Sequence, residues 1–356
     1  MLITNIRVVN PTLLTAIFRA NDIIGERESI EKIRPVGNGE SSTADYYRLA
    51  LQYKDFATQR HAPDTIFLKI THPNQPEAII RQEVNFYEQV FPAMLRQFKI
   101  EELATPMCYD AYFDDITGRS HIILEDLSGE FKPSRENVPP TQRHREQIID
   151  ALARIHAFWW EHEDLSKLAP IPTVTILEGY LEQYQAKFAA MMDYSGAAFM
   201  PARHKEILKK IAEKIPERRK DRLVNGKGIT IVHSDLHPNN LMYSHCESRI
   251  IDWQSWRVDT ATDDLAYMML CFWPQHLREF QEKHVLRRYF DQLIHHGVRE
   301  YTWDDLQYDY AASAVRCIAF LLAAWTPQKH VRGYWKRAEN ALEALDKLDA
   351  MVMLLS

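Results

Sequence analysis

A dense run of polar side chains near the middle of the chain is the feature that most restricts its fold. The run His233–Asn240 reads HSDLHPNN, and two short apolar segments follow it, Leu241–Tyr243 and Arg249–Ile251. If these segments pair as a hairpin, Asn240 and Asp252 come side by side at its open end. Magnesium favours such a partial shell of amide and carboxylate oxygens, and takes water and phosphate oxygens as its remaining ligands. The sequence therefore predicts a magnesium site there.

Three further side chains complete a phosphoryl-transfer pattern. Asp235 precedes Asn240 by five residues and is placed to orient an acceptor hydroxyl and take its proton. Lys69, near the end of a predicted strand, would contact the α- and β-phosphates of a nucleotide. Glu83, fourteen residues later on a predicted helix, would hold that lysine by an ion pair, although two other glutamates of the helix compete for this role.

The spacing of apolar residues predicts an α+β chain, with a small sheet followed by a mainly helical region. Strands are expected over 30–36, 46–53, 65–70 and 121–124, with a helix at Glu77–Phe91 and a turn-rich link at Gly37–Ser42. A polar, proline-bearing stretch follows, and the lobe boundary is placed just before it. Residues 1–127 then form a nucleotide-binding lobe, and residues 128–356 a catalytic and acceptor-binding helical lobe. Helices in the second lobe are predicted over 142–161, 176–192, 203–214, 263–272, 278–296, 304–325 and 332–353.

Charge and composition exclude several classes of protein. With 43 Lys and Arg against 49 Asp and Glu, the chain has a net charge of −6. It therefore lacks the overall positive potential that non-specific binding of nucleic acid needs. The four cysteines are widely spaced with no CxxC pair, which favours a reduced compartment. No export signal is visible, and the apolar run Cys317–Trp325 is far shorter than a membrane span. We expect a soluble, cytoplasmic protein with no nucleic-acid or membrane partner, and the oligomeric state stays open.

His233–Asn240 resembles the catalytic-loop signature HxDxxxxN of the aminoglycoside phosphotransferase and choline kinase superfamily, and its spacing also matches the HRDLxxxN loop of protein kinases. Other segments resemble that superfamily in the same order along the chain. They are Phe67–Lys69 for the nucleotide lysine, Arg81–Tyr87 for the helix with its glutamate, Leu124–Leu127 for the hinge, Ile251–Trp253 for the metal-binding aspartate and Asp264–Tyr267 for the following helix. Trp253-Gln254 is further similar to the ecdysteroid-kinase-like branch.

The resemblance implies a bilobal protein-kinase-like fold and an ATP-dependent phosphotransferase with an alcohol group as acceptor. ATP, or GTP in its place, and Mg²⁺ would be required. Glu125 and Leu127 in the hinge would join Lys69 and Glu83 in binding the nucleotide. The acceptor would be a small hydroxylated molecule, whose identity the sequence leaves open.

Some residues of the motif depart from the superfamily or have supporting roles. Ser234 stands where the superfamily most often has glycine, and the Gly37/Gly39 segment does not match the GxGxxG of protein kinases. The resemblance implies that His233 braces the catalytic loop, and it leaves His237 open between a phosphate contact and loop packing. Asp264 is expected to cap its helix and to bond to the loop.

Three other functions fit parts of the pattern. A protein kinase is disfavoured because only twelve residues separate Asp252 from Asp264, too few for an activation segment. A pseudokinase or nucleotide-binding scaffold would be expected to lack one of the catalytic groups, and all are present. The alternation of His233, Asp235 and His237 also suggests a metallohydrolase, but Pro238 and the lack of further histidines nearby argue against a dinuclear site.

Overall fold

The computed structural model describes residues 2–54, 62–134, 140–194, 200–328 and 335–347. The chain divides into two compact units, Met1–Lys132 with Met242–Ser255 and Pro133–Leu241 with Trp256–Ser356. The first crossing lies five residues beyond the boundary at 127/128 that the sequence suggested. The return of the chain to the first unit was not anticipated, and the division into two functional lobes remains a prediction.

The first unit is built on a five-stranded antiparallel sheet. Lys69 lies on the central strand, where it pairs with Tyr46 on one side and with Ile122 on the other. A helix begins at Pro11, suited to a first helical position, and the Asn10 side chain caps it by accepting from a backbone N–H. The strands are β1 Ile30–Glu40, β2 Ala44–Tyr53, β3 Thr65–Thr71, β4 Cys108–Asp114 and β5 Arg119–Glu125. Their order across the sheet is β1-β2-β3-β5-β4.

Strand β1 runs through much of the segment that the glycines predicted to be a link. Gly37 pairs with Arg48 and Gly39 with Tyr46, after a register irregularity between Pro35 and Gly37. A glycine inside a strand often marks such a bulge rather than the end of the strand. The connection to β2 therefore shortens to residues 41–43.

The first unit also holds the predicted helix and hairpin. The helix changes pitch partway, from α-helical Glu77–Asn85 through a π-helical turn at Phe86–Val90 to Phe91–Leu95. The hairpin forms as expected, between β8 Leu241–Tyr243 and β9 Ser248–Ile250. Phe86 stacks on Trp253, just beyond the hairpin, with ring centroids 4.1 Å apart and planes 8° from parallel.

The second unit is mainly helical. Thr141 caps the helix Gln142–Phe158 as predicted, its hydroxyl accepting from the His144 N–H. Three elements of this unit were not predicted, the short helix Leu165–Leu168, the helix Glu217–Asn225 and the strand Arg257–Thr260, which pairs with the strand Ile229–Val232. The last two strands are labelled β10 and β7. Part of the helix predicted over 332–353 lies outside the described residues.

The remaining bounds are as follows. The other strands are β6 Lys132–Pro133 and β7 Ile229–Val232. The α-helices are α1 Pro11–Ala20, α2 Glu77–Asn85, α3 Phe91–Leu95, α4 Ile100–Leu103, α5 Gln142–Phe158, α6 Leu165–Leu168, α7 Val174–Met192, α8 Ala202–Glu213, α9 Glu217–Asn225, α10 Thr262–Ala266, α11 Gln275–His295, α12 Trp303–Ala323 and α13 Lys336–Lys347. A π-helical turn, Tyr267–Phe272, follows α10. Across the described ranges, no helix combines the length and apolar character that a bilayer span needs.

Candidate active site

The loop that carries Asp235 is held by a buried carboxylate. Asp264 on α10 is fully buried, and its two oxygens accept the backbone N–H groups of His233 and Ser234, both at 2.7 Å. Two charge-assisted hydrogen bonds to adjacent amides fix the path of the backbone just before Asp235. The expected bond from Asp264 to the loop is therefore present. The expected cap is wrong, because α10 begins at Thr262 and Asp264 lies inside it.

Ser234 occupies a backbone conformation that L-residues rarely adopt. Its φ is +70°, in the left-handed region where glycine is favoured. Its hydroxyl is buried and has no hydrogen-bond partner among the described residues. The position therefore has the geometry of a glycine site, which gives a physical reason for the glycine that the superfamily most often carries there.

Asp235 lies among polar neighbours on the same loop. Its carboxylate is 28% exposed and 3.5 Å from Nε2 of His237. Its backbone N–H donates to Nδ1 of the buried His233, a contact that fits the bracing role expected of this histidine. Its carbonyl accepts from Nδ2 of Asn240 at 2.9 Å, so the amide orientation of Asn240 is set by Asp235 itself.

A second layer of buried groups supports Asp264. His156, on α5, lies with Nε2 3.4 Å from Asp264 and Nδ1 2.6 Å from the Tyr289 hydroxyl. Burial raises the pKa of Asp264, but its bonds to His156 and His233 outweigh this and hold that pKa below its ordinary value. Asp264 therefore accepts as an anion at neutral pH. This contact links α5, α10 and α11 behind the loop.

In the first unit, Lys69 sits between two carboxylates. Its Nζ is 2.7 Å from Glu83 and 3.5 Å from Asp252, and the Lys69 and Glu83 side chains are both more than nine-tenths buried. The ion pair between Lys69 and Glu83 that the sequence predicted is thus present. Burial lowers the pKa of Lys69, but the two carboxylates outweigh it and raise that pKa above its ordinary value. Lys69 is therefore held as a cation that faces one carboxylate oxygen of Glu83 and one of Asp252.

This trio has one more negative charge than positive. Burial and the nearby Asp252 raise the pKa of Glu83, while Lys69 opposes them. Asp252 has a left-handed backbone with φ +64°, and its Oδ1 is buried with no hydrogen-bond partner among the described residues. Its other oxygen lies 3.3 Å from the amide nitrogen of Gln254, a contact that no sequence pattern predicted. Oδ1 thus makes no hydrogen bond to a described residue, although the Lys69 ammonium lies 3.5 Å from it as an ion-pair partner. Such an oxygen, in a site of excess negative charge, suits a hard cation.

The hinge segment is fixed by local bonds. Glu125, the last residue of β5, accepts the Met107 N–H at 3.2 Å, and Leu127 is buried at the start of a 3₁₀ turn. Between them, Asp126 accepts from the Arg48 guanidinium at 3.0 Å and from the Ser128 N–H. These bonds to Arg48 and Ser128 keep the pKa of Asp126 low despite its partial burial, which acts in the opposite direction. Asp126 is therefore the anchor of this turn, which sequence reasoning did not single out.

The predicted residues thus fall into separate groups. Lys69, Glu83 and Asp252 meet in the first unit, and Asp235 and Asn240 meet in the second. Over the ranges that the structure describes, no three His, Cys, Asp or Glu side chains are arranged to hold a metal ion. The set His233, Asp235 and His237 proposed for a metallohydrolase is therefore not assembled as one.

Comparison with known sequences gives a family. The profile of the Ecdysteroid kinase-like family matches residues 38–299, which is more than half of the chain. The match includes every residue named above as a candidate site residue. No curated protein sequence matches the chain.

Solved structures resemble this one along most of its length. A spectinomycin phosphotransferase in complex with ADP and spectinomycin has a TM-score of 0.54 and 12% identity, covering 96% of this chain and 99% of that chain. A choline kinase from Cryptosporidium parvum Iowa II has a TM-score of 0.52 and 13% identity, covering 96% of each chain. An ethanolamine kinase from Plasmodium vivax has a TM-score of 0.54 and 13% identity, covering 90% and 83%. The predicted fold class, α+β and protein-kinase-like, is confirmed.

Proposed function

Because the chain belongs to the ecdysteroid kinase-like family, we propose that it is a small-molecule kinase that transfers the γ-phosphoryl group of ATP, or of GTP, to a hydroxyl of a small acceptor. The observation that carries the proposal is the buried Lys69, held 2.7 Å from Glu83 and 3.5 Å from Asp252. A cation fixed between two carboxylates is what a nucleotide-phosphate site of this kind requires. A surface lysine would not be fixed in this way.

The residues of the chain would act as follows. Lys69 contacts the α- and β-phosphates, and Glu83 keeps its ammonium group in place. Glu125 and Leu127 bind the base of the nucleotide through the hinge. Asp235 accepts the proton of the acceptor hydroxyl while the oxygen of that hydroxyl forms a bond to the γ-phosphorus. The bond from that phosphorus to the bridging oxygen breaks, and the nucleoside diphosphate leaves.

Magnesium fits the donor set on this chain. Asp252 and Asn240 would hold the ion. Asp252 Oδ1 makes no hydrogen bond to a described residue and has the Lys69 ammonium 3.5 Å away as its ion-pair partner. The Asn240 amide nitrogen donates to the Asp235 carbonyl, so its amide oxygen would be the ligand atom. When bound, Mg²⁺ would neutralise charge on the β- and γ-phosphates. The excess negative charge of Lys69, Glu83 and Asp252 taken together supports this assignment.

The test is acceptor-dependent nucleotide consumption by the full chain, screened over hydroxylated amines, sugars and sterols. In Asp235→Asn we expect turnover to fall by about 10²–10⁴-fold while nucleotide affinity is kept. Asp304→Asn, an exposed aspartate at the start of α12, is the matched control and should keep full activity.

A nucleotide-binding scaffold is the alternative that this experiment separates. It would bind nucleotide, show no acceptor-dependent turnover over the whole panel, and be unaffected by Asp235→Asn. That combination would refute the kinase proposal.

A further inference from the structure

The second unit contains a cavity of about 480 Å³ that is lined by none of the residues assigned a role in the proposed phosphoryl transfer. It lies among α7, the turn between α8 and α9, strand β10 and helix α12, and no residue of the His233–Asn240 loop lines it. Its walls are largely apolar, from Leu177, Ile211, Val315 and Ala319. A cavity of this size with apolar walls and a few polar groups is typical of a site for a small organic ligand.

The polar part of the lining is an arginine cluster with too few carboxylates. Arg219 pairs with Asp259 and lies 3.3 Å from Asp263, and Arg257 contacts the same two aspartates at 2.8 Å each. Burial raises the pKa of Asp259, but the neighbouring arginines outweigh this effect and lower it below its ordinary value. Two buried aspartates are therefore already shared between two arginines before a third arginine is considered.

That third arginine is Arg316 on α12. Its side chain is 14% exposed, and its one ion-pair contact within the described ranges is from Nε to Asp263, at 3.5 Å. Its two terminal nitrogens donate no hydrogen bond to a described residue, yet they are not sealed from solvent. Tyr184 lines the cavity beside this cluster. Three guanidinium groups and two carboxylates leave one positive charge, and Lys214 in the lining adds a second. The Arg316 guanidinium lies 5.5 Å from the centroid of the Phe320 ring, and its two terminal nitrogens stay available to a ligand in the cavity.

We propose that this cavity binds an organic anion with an apolar body, whose carboxylate or related anionic group pairs with Arg316. The planar guanidinium matches a carboxylate with two parallel hydrogen bonds, and the apolar walls accept the rest of the molecule. The excess positive charge disfavours a cationic ligand. The proposal does not rest on the kinase activity, because binding of the anion to the cavity can be measured with the protein alone, without nucleotide.

The test compares two probes of nearly equal shape, 1-naphthylacetate and 1-naphthylacetamide, by calorimetric titration into the full chain. We expect the carboxylate to bind about tenfold or more tightly than the amide, as a charge-assisted pair requires. Arg316→Gln should remove that preference. The fold should survive, because Asp263 keeps its contacts to Arg219 and Arg257. Arg287→Gln, an exposed arginine outside the cavity, is the matched control and should keep the preference.

Two further variants keep the test decisive. Ala323→Trp adds bulk to the cavity wall while all three arginines are retained in the chain, and it should weaken both probes together. Asp235→Asn should leave the affinity for the carboxylate unchanged, so that failure of the kinase proposal and failure of this one are told apart. Equal affinity for the two probes, binding of neither, or an unchanged preference in Arg316→Gln would overturn the proposal.

Discussion

The left-handed backbone at Ser234 leads to an unusual expectation, that a substitution in the candidate catalytic loop stabilises the protein. Ser234→Gly removes the strain of a positive φ, about 1–2 kcal/mol for an L-residue. It also removes a buried hydroxyl with no partner among the described residues, a defect that costs about 1–3 kcal/mol. Glycine loses more backbone entropy on folding, about 0.5–1 kcal/mol. The net expectation is an increase of about 2 kcal/mol in the free energy of unfolding.

Ser234→Ala separates the two contributions. Alanine lacks the hydroxyl but keeps a Cβ in the left-handed region, so it should gain about 1–2 kcal/mol and remain less stable than the glycine variant. Asp22→Gly is the matched control, since Asp22 also has a positive φ, of +57°, but is exposed. Asp22 has no buried, unpaired hydroxyl, so the increase in the free energy of unfolding in Asp22→Gly should be smaller than in Ser234→Gly.

Equilibrium urea unfolding measures all three variants. A gain of 2 kcal/mol moves the midpoint by roughly 0.7–1 M when the slope is about 2–3 kcal/mol per M. The slope itself should not change. If Ser234→Gly were less stable than the natural protein while Ser234→Ala gained nothing, neither the strain nor the unpaired hydroxyl would be real, and the reasoning would be refuted.

Three other perturbations test the buried contacts. Asp264→Asn leaves one of two amide donors without an acceptor and should lower the free energy of unfolding by about 3 kcal/mol. The pKa of Asp264 is lower in the folded protein than in the unfolded chain. Its carboxylate therefore contributes its full stabilisation above the pKa of the unfolded chain, and this stabilisation is lost as the pH falls through the pKa of the folded protein. The gap between natural protein and variant in urea midpoints should therefore narrow below about pH 4, and a gap independent of pH would contradict the assignment. Lys69→Met leaves Glu83 buried beside another carboxylate, which raises its pKa further, so stability should increase as pH falls from 8 towards 5, more steeply than in the natural protein. Parallel pH profiles would count against that. Phe86→Leu removes a ring stacked on Trp253 and should cost about 2 kcal/mol, measured by thermal unfolding, with no loss expected if the stack contributes nothing.

What the sequence could predict was local. The hairpin beyond His233–Asn240 followed from two apolar segments joined by a turn, and the pairing of Lys69 with Glu83 followed from a strand that leads into a helix. Glu88 was a competitor on the same helix, and the fold resolves the choice because Glu83 is the residue whose carboxylate reaches Lys69. Short-range patterns of this kind determine the local backbone geometry, so they can be recognised in the sequence alone.

Long-range contacts left no such pattern. The bond from Asp264 to amides thirty residues earlier was expected from the superfamily resemblance and not from any local pattern, and nothing near Arg316 indicates that it joins Arg219 and Arg257. These contacts depend on tertiary packing, which brings distant segments together without a local period. The strand through Gly37–Glu40 was missed for a different reason, because two glycines read as a turn where the chain forms a bulge.

The return of Met242–Ser255 to the first unit has a consequence for synthesis on the ribosome. Residues up to Lys132 emerge first, but the segment that supplies Trp253 as the stacking partner of Phe86 follows 110 to 123 residues later. At translation rates of about 5–20 residues per second, that delay is roughly 6–25 s. During this delay the ring of Phe86, in the π-helical turn after α2, lacks its stacking partner. Chaperone dependence should thus arise early in the life of this chain, before its second unit is complete.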